Sequence, residues 1–440
     1  MSKALKVYRG DVVSLVGAGG KTAAMFRLAG ELTSNGWKVI TTTTTMIWRH
    51  QASEHTILEP DGAILLEKAE AALKKHSHIT VVSGLSEVEG KLVGVEPSLV
   101  DGLAALLEVD AVIVEADGAK GRSLKAPAAH EPVIPSCTTI LIPMAAIDAL
   151  GQPLDERAVH RPELVARLAN LGQRELITPE ALGSVLLHPE GGMKDAPAQA
   201  RIAPLINKVT AASLQPARDI ARLLLEEVRV SRVLLGSVME EDPITEAWGR
   251  VAAVVLAAGE SRRFGYPKQL LPWGETTLLE HVVDAALGSS VDKTIVVLGH
   301  RAEEIGGPLH GRPVELVINE GWEGGLSTSV RAGLRALPAD YEACLFLLAD
   351  QPNVTRTLID NLLSSYRSTL APIVAPVHKA RRGNPVLFAR SLFPELLEME
   401  GDQGGRGVIL QHREKVELVE VAEGDIFLDI DTVDDYQGAI

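Results

Sequence analysis

Apolar residues run unbroken from Val251 to Ala257 and stop at Ala258-Gly259. A short apolar run closed by glycine predicts a strand buried on both faces, followed by a loop. The same grammar recurs downstream. Strands are predicted over 293–298, 343–349 and 373–377, and helically spaced apolar residues predict helices over 277–287, 326–336 and 355–365. The first half alternates likewise. Strands are predicted over 11–16, 37–41, 78–83, 111–115 and 230–235, with helices over 21–32 and 99–107; residues 150–200 read as a more helical insert. Strand-helix alternation implies parallel sheets with helices on their faces. Residues 237–250 are acidic, carry Pro243 and lack sustained periodicity, so the main boundary is expected there. The expected fold is α/β in two domains, 1–240 and 250–440, each a mostly parallel sheet flanked by helices.

With 440 residues the chain is too long for one ordinary core. An apolar fraction of 46% argues for folded domains throughout. The net charge of −15 argues against nonspecific binding to nucleic acid or anionic membranes, so an anionic substrate needs local basic loops. Cys137 and Cys344 form no CxxC and no cluster with histidine, which argues against zinc and a disulfide framework. The pair His76 and His78 lacks a third ligand, and no catalytic histidine is expected. The N-terminus has no apolar signal core, and no stretch approaches a membrane span, so a cytoplasmic protein is expected.

The loop after residue 257 holds Gly259, Ser261, Arg262, Arg263, Gly265 and Lys268. Small residues let backbone approach a phosphate chain, and basic side chains neutralise it. Asp350 follows the strand over 343–349. A carboxylate there either caps a helix or, beside a phosphate loop, holds Mg²⁺, and the neighbouring loop favours the metal. Near the end, alternation places Asp429 and Asp431 on one face of a strand, which is costly unless they are solvated or bind a cation. Asp434 and Asp435 are expected to cap the last helix. Gly324-Gly325 followed by Leu326, Ser327, Thr328 and Ser329 opens a helix, a natural contact for an anion or ribose or a plain N-cap.

The pattern Leu256-Ala257-Ala258-Gly259-x-Ser261-x-Arg263-x-Gly265-x-x-Lys268-x-Leu-Leu resembles the signature of nucleotidyltransferases of the MobA/MocA type. That family joins a nucleotide to the molybdenum-bearing pterin cofactor on a Rossmann-like fold, and the resemblance runs from Arg250 to the C-terminus. It implies that Leu256 to Gly259, Ser261, Asn319 and Leu326 to Ser329 contact the nucleotide. It implies metal ligation by Asp350, in a MocA-like Asp-Gln-Pro, and by Asp429 or Asp431. Asn384, Pro385, Asp402 and Arg406 lie in loops that face the pterin in those relatives. Ala258, where guanylyl-transferring relatives usually have glycine, and Asp-Gln-Pro together imply CTP as donor. Lys268 and Arg262 are assigned to phosphates, and catalysis to positioning and charge neutralisation.

Near the N-terminus, Gly17, Gly19, Gly20, Lys21 and Thr22 make a phosphate-loop-like turn. It departs from Gly-x-x-x-x-Gly-Lys-Ser/Thr because residue 15 is Leu15, and from Gly-x-Gly-x-x-Gly because Thr22 stands at the last glycine. Backbone N–H groups, Lys21 and Thr22 remain suited to a second NTP with its metal. Glu115 and Asp117 end an apolar strand, as metal-associated acids do, and Asn207-Lys208 has the start of a base-reading motif without its final Asp. The Thr41 to Thr45 run reads either as a further motif of this site or as a β-branched strand end with surface hydroxyls. These motifs together resemble the YqeC family, accessory factors for selenium-dependent molybdenum hydroxylases, over residues 5–235. The resemblance implies molybdopterin or its molybdenum form as partner and an apo-hydroxylase as a further one. Two rivals are a nucleotidyltransferase for another phosphate acceptor and a cofactor chaperone with little turnover.

Overall fold

In the computed structural model the strand Arg250–Leu256 is buried along its whole length. Alternation sends Val251, Ala253 and Val255 into one apolar cluster and Ala252, Val254 and Leu256 into another. A continuous apolar run therefore marks a central strand with a core on each face. The structure describes residues 1–172, 174–422 and 428–440. They form two compact units, Met1–Trp248 and Gly249–Ile440. Among them no helix is long and apolar enough to cross a membrane.

In the second unit the main sheet runs Glu315–Ile318, Lys293–Leu298, Arg250–Leu256, Tyr341–Leu348, Val386–Ala389, Ile373–His378 and Arg381–Arg382. The first four strands are parallel, and Val386–Ala389 is antiparallel to both neighbours. The chain leaves Arg250–Leu256 toward one side, then crosses to the other with Tyr341–Leu348. That reversal opens a crevice at the carboxyl ends of these two strands, where α/β sheets bind ligands. Helices Leu278–Leu287, Leu326–Ala336 and Arg356–Thr369 cover the faces, the first opened by a Thr277–Glu280 capping box.

The first unit has Asp11–Gly17 between Ile140–Ala146 and Ala111–Glu115, followed outward by Val39–Thr43, His78–Val82 and Thr56–Leu58. On the other flank Leu205–Asn207, Val233–Gly236 and Ile244–Trp248 complete the path. All these pairings are parallel except the last. Helices Pro162–Ala169 and Pro179–Leu187 fall within 150–200, and the helix expected over 99–107 is Pro97–Ala104.

Three expectations are corrected. Residues 237–250 are not a bare connection, because Ile244–Trp248 is an antiparallel strand of the first sheet. Its inward face carries Glu246 as well as Trp248. Arg218 Nε at 3.0 Å and Trp248 Nε1 at 2.8 Å satisfy that carboxylate. The threonine hydroxyls of the second strand are inside, not on the surface. Thr42 donates to Val81 O at 2.7 Å and Thr43 to Glu115 O at 2.8 Å. Residues 428–432 form no strand. Thr432, not Asp434, opens the last helix in a capping box with Asp435.

Candidate active site

The loop after Leu256 is held open from within. Ser261 and Gly265 take positive φ of 56° and 65°, which turns the chain twice. Gln269, buried beneath, donates to Ala257 O at 3.1 Å and Gly259 O at 2.9 Å and accepts from Ser261 Oγ at 3.1 Å. Lys268 N donates back to Ser261 Oγ at 3.1 Å. Ser261 thus fastens the loop, and Gln269, which sequence reasoning missed, is its main staple. Its signal was a lone amide between Lys268 and an apolar pair. Arg262 stays exposed, its Nε bonded to Glu260 at 2.5 Å.

Lys268 joins this loop to two distant acids. Its Nζ lies 2.6 Å from Asp350 Oδ2, 3.0 Å from Asp431 Oδ1 and 3.0 Å from Ile430 O. Burial works against the ammonium charge, but the Asp350 and Asp431 carboxylates override it and hold the Lys268 pKa above its ordinary value. Asp350 Oδ1 is buried and accepts no hydrogen bond. An orphaned carboxylate oxygen in an acidic cluster fits a hard cation such as Mg²⁺. Asp429 sits apart, bonded by Gln351 Nε2 at 2.5 Å. Burial, then the charges of Asp350 and Asp431, raise its pKa against that bond. Among the described residues no three His, Cys, Asp or Glu side chains form a ready-made metal cage.

These groups line a cavity of about 560 Å³. Leu256, Ala257, Ala258, Gly259, Ser261, Arg262, Lys268, Leu326, Ser329, Asp350, Asp402 and Asp431 all face it. Asn319 does not. Its Nδ2 donates to Thr328 Oγ1 at 2.8 Å and Ser329 Oγ at 3.1 Å, and its Oδ1 accepts from Gly321 N at 3.1 Å. Ser327 is buried and Thr328 bonds Gly325 O at 2.8 Å, so this helix start contributes Leu326 and Ser329 rather than a row of hydroxyls. Its N-terminus is also not an open anion site, because Asp402 Oδ1 accepts from Leu326 N at 3.1 Å.

A second cavity, about 230 Å³, shares Leu256, Leu326, Leu348 and Asp402 with the first. Arg382, Asn384 and Arg406 give it polar groups, and Phe346 and Phe388, packed edge to face, give it an apolar wall. Burial, then the Arg406 charge, lowers the Arg382 guanidinium pKa. Pro385 is outside the lining.

In the first unit the glycine-rich turn is closed. Gly17, Gly19 and Gly20 have positive φ, as the motif suggests. Yet Gly17 N donates to Asp117 Oδ2 at 3.0 Å, Ala18 N to Met144 O at 2.9 Å and Gly19 N to Arg122 O at 2.9 Å. A Cβ on Gly17 would stand 2.4 Å from Met144 O, so this glycine serves close packing on the next strand. Lys21 is buried, bonded to Gly17 O at 2.6 Å and 3.1 Å from Asp117. Thr22 donates to Glu115 at 2.7 Å. Asn207 spends its amide on Gly19 O and Val238 N and so holds the turn. Lys208 pairs with Asp148 at 2.7 Å.

Sequence reasoning missed the rest of this network. Lys125 bridges Asp117 at 2.8 Å and Glu131 at 2.9 Å, and Arg161 reaches Glu131 at 2.6 Å. Burial raises Glu115 above the usual carboxylate range despite Lys21 and Thr22. Burial also opposes the Glu131 charge, but Arg161 and Lys125 win and bring its pKa down to about 2. Beside Gly17, Asp117 and Lys125 the free space is only about 10 Å³.

A parallel-sheet crevice with a fastened basic loop, a lysine and clustered carboxylates defines a nucleotide-handling enzyme site. The family models agree. Residues 253–416 match the MobA-like NTP transferase domain and residues 13–163 match the YqeC protein family. The chain belongs to the YqeC family by its first unit, and its second unit carries a MobA-like NTP transferase domain. It is 30% identical over 243 residues to the uncharacterized protein YqeC of Escherichia coli strain K12, across 54% of this chain and 91% of that protein. The second unit is similar to the molybdenum cofactor cytidylyltransferase of the same strain, 28% identical across 42% of this chain and 93% of that protein. It is also 30% identical to the nicotine blue oxidoreductase of Paenarthrobacter nicotinovorans, across 42% of this chain and 93% of that protein.

Proposed function

We propose that the second unit transfers CMP from CTP to molybdopterin or its molybdenum form, releasing pyrophosphate. One observation carries this reading: a phosphate-loop cavity with Lys268, Asp350 and Asp431 adjoins an arginine- and phenylalanine-lined cavity across a shared wall. The first suits a nucleoside triphosphate and the second a flat heterocycle bearing an anionic tail. A terminal phosphate oxygen of the acceptor attacks the α-phosphorus of CTP. The new P–O bond forms as the bond to pyrophosphate breaks. Lys268 and Arg262 neutralise the triphosphate, and the stapled loop presents backbone to it. Asp350, with Asp431 or Asp429, would hold Mg²⁺, which supplies charge compensation at the phosphates. Asp431 is the better placed of the two, because it lines the cavity while Asp429 is bonded to Gln351.

The first unit is assigned an accessory role in molybdenum hydroxylase maturation, with an apo-hydroxylase as partner and a nucleotide as ligand of its glycine-rich turn. Nucleotide entry there requires Asp117 and Lys21 to part, since both are bonded to the turn itself. A second reading of the transferase, another acceptor, is favoured by likeness to a protein named for a different reaction. Mass spectrometry of the product formed from CTP, Mg²⁺ and molybdopterin decides. A cytidine dinucleotide of the pterin supports the proposal. Its absence, with another phosphate acceptor converted in a screen, replaces the substrate.

A further inference from the structure

Trp322 has no part in the site as the sequence is read, yet it lines the nucleotide cavity together with the loop Leu256 to Arg263. Its placement is determined from three sides. His300 meets the indole edge-on, with ring centroids 5.1 Å apart at 66°. Asn319 Oδ1 accepts from Gly321 N, and Gly325 N donates to Trp322 O at 3.2 Å, which closes the turn that carries the indole. Gly299 leaves no space behind it. A Cβ there would lie 2.7 Å from Trp322 Cβ and 2.8 Å from both Ala258 Cβ and Ala258 O. Ala258 O also accepts from His300 N at 3.1 Å. The methyl of Ala258 and the Cβ of Trp322 are therefore packed against one glycine, which ties the placement of the indole to that of Ala258.

We propose that Trp322 is the wall on which the nucleotide base packs, and that the Ala258–Gly299–Trp322 contact sets the room for that base. This rests on the nucleotidyltransferase reading of the unit. A half-buried indole beside a phosphate loop offers an apolar π-face that any base can use, and selection then comes from the space left between it and Ala258. His300 is a positioning residue for the indole. Asn319 acquires the same kind of role, fixing the turn rather than touching the ligand.

The test is equilibrium binding of Mg-CTP, Mg-GTP and Mg-tripolyphosphate to the full chain by calorimetry, in wild type, Trp322→Phe and Trp322→Ala. Tripolyphosphate has phosphates and no base. Trp322→Ala is expected to weaken CTP roughly tenfold or more, while tripolyphosphate changes less than about twofold. Trp322→Phe, which keeps an aromatic face, should recover most of the CTP affinity. Equal CTP affinity in wild type and Trp322→Ala overturns this inference and leaves the transferase reading standing. Equal losses for CTP and tripolyphosphate also overturn it, since they mark a general disturbance of the loop. Failure of wild type to bind any nucleotide overturns both.

Discussion

The two units carry nearly the same sentence of sequence, a buried parallel strand, a glycine-rich turn and a lysine, and put it to different uses. In the second unit Lys268 is 16% exposed, meets its acids at the rim of a cavity of about 560 Å³, and the loop is stapled from beneath by Gln269. In the first, Lys21 is 3% exposed and three successive N–H groups of the turn are already bonded. A glycine with positive φ is needed in both. The partners of its N–H groups, backbone carbonyls as well as a carboxylate, decide whether the turn displays its donors or consumes them. A phosphate-loop motif thus reports backbone shape, and the groups packed against it report availability.

The contrast is broken most sharply by exchanging the lysines' fates. Lys268→Ala is expected to lower the transfer rate by about 10²–10³-fold with little change in thermal unfolding, because the rim charge acts on the transition state. Steady-state kinetics and a melting curve check both halves. Lys21→Met should do the reverse. It removes one of the two ammonium partners of Asp117 and the lysine beside Glu115 and should cost the first unit up to about 3–5 kcal/mol, read by urea unfolding, while transfer by the second unit persists. If Lys21→Met unfolds no more easily than wild type, the closed network is not the stabilising device described.

Acid separates the units next. The Glu131 pKa lies near 2, below its unfolded value of 4.5, held there by Arg161 and Lys125 against burial. A depressed carboxylate stabilises the fold above the unfolded pKa, and that stability drains away as pH falls from about 4.5 toward 2. Glu131→Gln should flatten this part of the stability profile, measured by urea melts at pH 5 and pH 3. The smallest effect is expected at the margin of the acidic cluster. Asp429→Asn keeps the Gln351 bond partner and should change the Mg²⁺ requirement several-fold less than Asp431→Asn, by Mg²⁺ titration of the rate.

Much of this was legible along the chain. Arg250–Leu256 is buried on both faces, so its apolar run needed no partner to be recognised, and the loop residues that follow it are contiguous. Ile244–Trp248 was not legible. Its inward Glu246 makes the segment read as a linker, and the charge that neutralises it, Arg218, is on a distant helix. Asp350 and Asp431 were readable as acids near a phosphate loop, but nothing local says that Gln351 takes Asp429 while Lys268 takes the other two. Lys125, Glu131 and Arg161 meet through irregular backbone and a two-residue strand pair, which leaves no period to detect.

On the proposed function, one lysine serves chemistry and the other serves the fold. Pyrophosphate release should therefore be followed in wild type, Lys268→Ala and Lys21→Met with Mg²⁺, molybdopterin and each of CTP, GTP, ATP and UTP. Release is expected with CTP, lost in Lys268→Ala and retained in Lys21→Met. Release that survives in Lys268→Ala but vanishes in folded Lys21→Met would contradict this division.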